Sequence, residues 1–150
     1  MVSVMKKVAF ILLLLAAGYF GLLPPEKTVA PVVAELKQVP FSDKVTQAYE
    51  RRARNLQLSL EGKVTKLLPD DRDGSRHQRF IIRVDSGRTL LVAHNIDLAP
   101  RINGIKVGDR VELYGVYEWN EKGGVVHWTH HDPQGRHEDG WIRHKGRLYQ

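Results

Sequence analysis

The chain has 150 residues, with 23 Lys+Arg against 17 Asp+Glu, seven histidines and 42% apolar residues, a balance that excludes a collagen-like or wholly disordered chain and fits one small folded domain. It holds no cysteine. Disulfide scaffolds, thiol nucleophiles and Cys-ligated zinc are therefore excluded together, and a metal site would have to use His and carboxylates.

Lys6 and Lys7 precede an uncharged run over 8–23 (VAFILLLLAAGYFGLL) that stops at Pro24-Pro25, the pattern of an export signal. As a helix rising ~1.5 Å per residue the run reaches roughly 24 Å, short of the ~30 Å hydrocarbon core, which favours a cleaved signal peptide over a permanent span. Ala16-Ala17-Gly18 offers small residues for cleavage, although inside the apolar run. Uncleaved, residues 8–23 would anchor the chain in the inner membrane. Either outcome predicts a periplasmic protein, soluble or tethered. Without residues 1–23 the formal charge falls from +6 to +4, because Lys6 and Lys7 are their only charges. The domain is mildly basic and lacks the basic blocks of committed nucleic-acid binders.

Residues 24–41 carry four of the seven prolines and predict an extended spacer. Ser42 offers an N-cap, and Val45, Ala48, Tyr49 and Ala53 recur at helical spacing, predicting one helix within 42–55 with Arg51, Arg52 and Arg54 on its other faces. From Leu56 the period changes to two: Leu56, Leu58, Leu60, Val64 and Leu68 share one side of a long strand, interrupted by Gly62 where the strand can bend. QRFIIRVD and RTLLVAHN flank Ser86-Gly87 as a hairpin. Pairing Asp85 with Arg88 would set Arg79 opposite His94, Ile81 opposite Val92 and Arg83 opposite Leu90 on the outer side. Strands follow at 106–119 and 125–131, and a last hairpin around Lys145-Gly146, expected to plug one end. Five short strands, a bend in the first and a non-strand link between the third and fourth predict a mainly β fold: a small five-stranded OB-like barrel over 56–150, with one N-terminal helix and a C-terminal hairpin or plug.

The strings GSRHQRFI (74–81), HNIDLAP (94–100), KVGD (106–109), GGVVHWTHHDP (123–133) and the closing Gly140-Trp141-Ile142 make residues 56–150 resemble a family of small exported bacterial proteins catalogued only as a domain of unknown function. The resemblance implies a single exported domain. It implies no activity for any position, so the chemistry rests on the residues themselves.

Two constellations stand out. Arg76, His77, Arg79, Arg83 and His94 would gather at one positive groove of the barrel, with Trp119 as a stacking surface for a base or sugar ring. The expected partner is an anionic or ring-bearing ligand, an oligonucleotide or glycan. The second is the His-rich tail, where His127, His130, His131 and His137 are candidate ligands for a divalent transition metal such as zinc. On a straight strand His127 and His131 would lie ~13 Å apart, so a metal site needs the chain to bend near Asp132-Pro133. A metal-dependent hydrolase of phosphodiesterase type and a structural envelope protein are the alternative readings. No GxSxG nucleophile elbow is present.

Overall fold

The structure is a computed structural model that describes residues 41–150. The expected leader and all but the last residue of the spacer lie outside the described residues. Among the described residues helix α1 (Phe41–Glu50) comes first, and it ends earlier than the apolar spacing suggested. Its terminus is a Schellman motif: the Ala53 amide donates to Ala48 O (2.9 Å) and the Arg52 amide to Tyr49 O (3.0 Å), with Arg52 at φ +51°. Arginine occupies the left-handed position that glycine usually takes.

Strands β1 (Leu56–Leu67), β2 (His77–Arg83), β3 (Thr89–Asn95), β4 (Arg110–Glu118) and β5 (Val125–His127) follow. They run β1-β2-β3-β5-β4, and β4 pairs back with β1 to close a five-stranded barrel. All pairs are antiparallel except β3 with β5. The long β1 makes closure possible by pairing with β4 over 56–63 and with β2 from Lys63 onward. Gly62 sits at this handover, as its place in the sequence predicts. A Cβ there would lie 3.1 Å from Ile82 Cβ and from Arg83 O, so the bare backbone lets the strands cross closely. A register shift between Val64 and Lys66 completes the corner.

Leu60, Phe80, Ile82, Leu90, Val92, Leu113, Tyr117 and Val126 fill the interior. Val45 and Ala48 of α1 join this core, as do Ile102 and Ile105 from the 96–109 loop. The Gln78 carboxamide fastens that loop through both the amide and the carbonyl of Ile102 (2.9 and 3.1 Å).

The β2–β3 register differs from the expected one. Arg83 pairs with Thr89 and Gln78 with His94, because the turn has three residues, 85–87, closed by Val84 N–H to Arg88 O (3.0 Å) with Gly87 at φ +85°. One residue of slip turns every β3 side chain to the opposite face. Leu90, Val92 and His94 therefore point into the barrel, and Thr89, Leu91, Ala93 and Asn95 outward.

β4 starts at Arg110 instead of 106, since Lys106 and Asp109 close a turn on themselves (Lys106 N–H to Asp109 Oδ2, 2.9 Å). β5 ends after three residues, where Trp128 at φ +52° turns the chain away. The last strands, β6 (Trp141–His144) and β7 (Arg147–Tyr149), form the expected hairpin on Lys145-Gly146, both at positive φ. It does not plug the barrel. β6 lies along β4 outside the ring, pairing with 111–114 where β5 has paired with 116–118. β5 and β6 thus occupy one edge of β4 in succession, and residues 128–140 form an excursion between them.

Candidate functional site

The outward side chains of β2, β3 and β5 define the site. Ile81, Leu91 and Val125 are successive cross-strand partners, all half-buried, and form an apolar row across the three strands. Arg79 pairs with Ala93 beside it, and His77 with Asn95 at the end of the strands. At that end a groove of about 200 Å³ opens between β3 and the excursion, lined by His77, Asn95, Leu98, His127, Trp128 and His130.

Two aspartates shape the excursion. Asp132 accepts the backbone N–H groups of Gln134, Arg136 and His137 (2.9, 2.7 and 2.8 Å), and these bonds hold its carboxyl below the usual carboxylate range, the Gln134 bond most. Asp139 accepts the Asp132 amide (2.8 Å) and the His131 Nδ1–H (2.7 Å) and is lowered by the same means, the Asp132 bond first. Replacing Asp132 by Ala is expected to speed hydrogen exchange at the 134, 136 and 137 amides by about tenfold or more, with the β4 amides unchanged. Two-dimensional NMR exchange measurements check this.

Trp128 is the hub of the groove. His137 stacks on it at 4.4 Å and 9°, and the His130 ring centre lies 5.1 Å away. The Nδ1 atoms of His130 and His137 donate to the carbonyls of His131 and Glu138 (both 2.8 Å), which leaves each Nε2 facing away from its own backbone. Burial pushes the His127 pKa down, against the pull of Glu118, and the neighbouring imidazoles of His137, His77 and His130 lower it further. His127 therefore favours its neutral form, able to donate or accept one hydrogen bond at each ring nitrogen.

The six residues expected at one positive groove are spread over the barrel. His77, Arg79 and Arg83 do share the outward face of β2, but six residues of strand put His77 and Arg83 roughly 20 Å apart. Arg79 is turned toward the Pro69 carbonyl (Nε–O 3.0 Å), and Arg76 is neutralised by Asp97 (2.6 Å). His94 is 0% exposed inside the barrel, bonded to Thr129 Oγ1 (2.9 Å) and Pro100 O (3.2 Å), and burial pushes its pKa down to about 4. The three-residue turn put it there. Trp119 lies at the far end of the strands against Tyr49 (6.2 Å).

Of the four candidate metal ligands, His127, His130 and His137 gather around Trp128 at the groove, while His131 is exposed and held by Asp139. Among the described residues no three His, Asp or Glu side chains converge as a metal centre requires. Sequence reasoning missed Asn95 and Leu98 as groove residues, because Asn95 depends on the register and Leu98 on the turn that follows β3. The Asp132-Pro133-Gln134-Gly135 string did carry a turn signal for the excursion.

No curated protein matches the chain. The family described as "Protein of unknown function (DUF3465)" matches residues 26–150, and the chain belongs to that family.

Proposed function

We propose that this is an exported OB-type binding domain whose outward β2–β3–β5 face holds a ring-bearing, anionic ligand, a segment of glycan or oligonucleotide. The supporting observation is the pairing of the apolar row Ile81, Leu91 and Val125 with the imidazole and indole groove next to it. A strand face with apolar and aromatic groups outward, bordered by the β1–β2 and β4–β5 loops, is where OB barrels take oligonucleotides and oligosaccharides. The closed order β1-β2-β3-β5-β4 supports assigning the barrel to that class. Rings would lie on the apolar row, and His77 and His127 with Asn95 would exchange hydrogen bonds with ring substituents. Arg83, with no ion pair among the described residues, supplies positive charge at the far end of this face, while Arg79 has Asp71 within 3.9 Å. Export rests on the 8–23 run, which would deliver the domain to the periplasmic side of the inner membrane.

The test is NMR titration of the full chain with an acidic oligosaccharide and, separately, decathymidylate. Shifts confined to His77, Asn95, Leu91 and His127 support the reading, and the arm that responds names the ligand class. His127→Ala should weaken binding about tenfold, the scale of one lost ring contact. Shifts elsewhere, or an unaltered His127→Ala titration, would overturn it.

A further inference from the structure

The opposite end of the barrel, away from the groove, carries a different signal. There the chain Arg88, Tyr49, Trp119, Arg52 is linked ring to cation: the Arg88 guanidinium lies 4.2 Å from the Tyr49 ring centre, Tyr49 lies 6.2 Å from Trp119, and Arg52 lies 5.0 Å from the Trp119 ring. Arg51 and Arg54 are neighbours of Arg52 in sequence, both exposed, with Arg51 on the side of α1 that faces β1.

Elsewhere arginines meet carboxylates: Arg76 with Asp97, Arg101 with Asp70, Arg110 with Glu61 and Arg143 with Glu112. Arg51, Arg52, Arg54 and Arg88 form no ion pair among the described residues. The others without one, Arg72, Arg83, Arg136 and Arg147, lie apart on four different segments. The nearby acids do not cancel the cluster: Glu50, Glu118 and Glu121 set against the four arginines and Lys122 still leave positive charge in excess, five to three. Two arginines over an indole and a phenol, with two more exposed in the same segment, make a surface matched to a lipid–water boundary, where Trp and Tyr sit among headgroups and Arg meets their phosphates. The sequence adds that the apolar run 8–23 stops only 17 residues before α1 begins.

We propose that the α1 end of the barrel docks on an anionic lipid surface, with Arg51, Arg52, Arg54 and Arg88 on lipid phosphates and Trp119 and Tyr49 beneath them. This proposal is independent of the ligand reading for the β2–β3–β5 face. Docked this way, the domain turns its groove away from the bilayer.

The cysteine-free chain allows a unique fluorophore at Glu50→Cys, on α1, or at Asn103→Cys, in the 96–109 loop. With the full chain, the probe at 50 should respond to vesicles containing about one third phosphatidylglycerol and not to pure phosphatidylcholine, and the probe at 103 to neither. Each arginine at an anionic surface contributes about a fivefold gain, so R51Q/R52Q/R54Q should need roughly a hundredfold more anionic lipid for the same response. Circular dichroism of that variant confirms that the barrel is intact. Equal responses on both vesicle types, an unaltered triple variant, or a response at 103 would overturn the proposal. A probe at 50 that ignores vesicles but responds to decathymidylate would overturn it in favour of a nucleic-acid surface.

Discussion

Gly140→Ala is expected to destabilise the domain by about 3 kcal/mol, lowering its melting temperature by roughly 15 °C in scanning calorimetry. A Cβ at this position would lie 1.8 Å from Trp128 O and 2.7 Å from Tyr114 O. Both neighbours are backbone, so no rotamer change relieves the overlap. The Gly140 amide also donates to His130 O (2.9 Å), which ties the outgoing leg of the excursion to the incoming one. Either β6 must lift from β4, breaking the pairing of Tyr114 with Trp141, or Trp128 must leave its place beside His137. Gly135→Ala is the control. It lies in the same excursion at φ +60° with nothing within 4 Å of its Cβ position, so it should cost only the ~1 kcal/mol of a left-handed alanine. Equal melting temperatures for the two variants would show that the close approach does not hold the legs together.

The second large effect is expected on acidification. His94 titrates at about 4 in the folded barrel and near 6.5 when unfolded, because burial disfavours its charged form. Between these values the unfolded chain binds the extra proton, so stability falls as pH drops through that window. The full difference amounts to about 3 kcal/mol by pH 4. His127, also lowered by burial, adds in the same direction. Asp132, Asp139 and Asp109 have lowered pKa values, Asp109 at about 2 through its bond to His144, and their contributions persist above the ordinary carboxylate range and fade below it. The interval from pH 6.5 to 5 therefore reports mainly the imidazoles. Urea unfolding of the wild type and His94→Gln across it should show a steep slope in the first and a shallow one in the second. Parallel slopes would mean that His94 is not the group that takes up the proton.

The barrel was legible because its signals are local and repeated. Alternation over 56–68, a glycine at the bend, the Lys145-Gly146 turn and a proline- and glycine-broken link after Asn95 each identify one element, and together they admit few closed arrangements. The site was less so. Its composition depends on which face each β3 side chain takes, and that parity was decided by a single residue in the 84–88 turn, where two- and three-residue loops fit the string Asp-Ser-Gly almost equally well. His94 and Asn95 exchanged roles as a result. The bend in the His-rich tail comes earlier than Asp132-Pro133 for a related reason. Spacing along a strand says nothing once the strand ends, and the left-handed Trp128 ends it three residues in. Arg76 and Arg79 show a third limit, since the carboxylate or carbonyl that engages each is more than five residues away in sequence.

The succession of β5 and β6 along one edge of β4 has an evolutionary consequence. Residues 128–140 leave and rejoin the same strand, between the partners of Val116 and Tyr114, so the ring that closes the barrel takes no strand from them, although Thr129 and Gly140 pack against it. Changes at the exposed tip, 133–136, can therefore be absorbed in descent without touching the strands that close the ring, whereas Thr129 and Gly140, packed at its base, cannot change so freely.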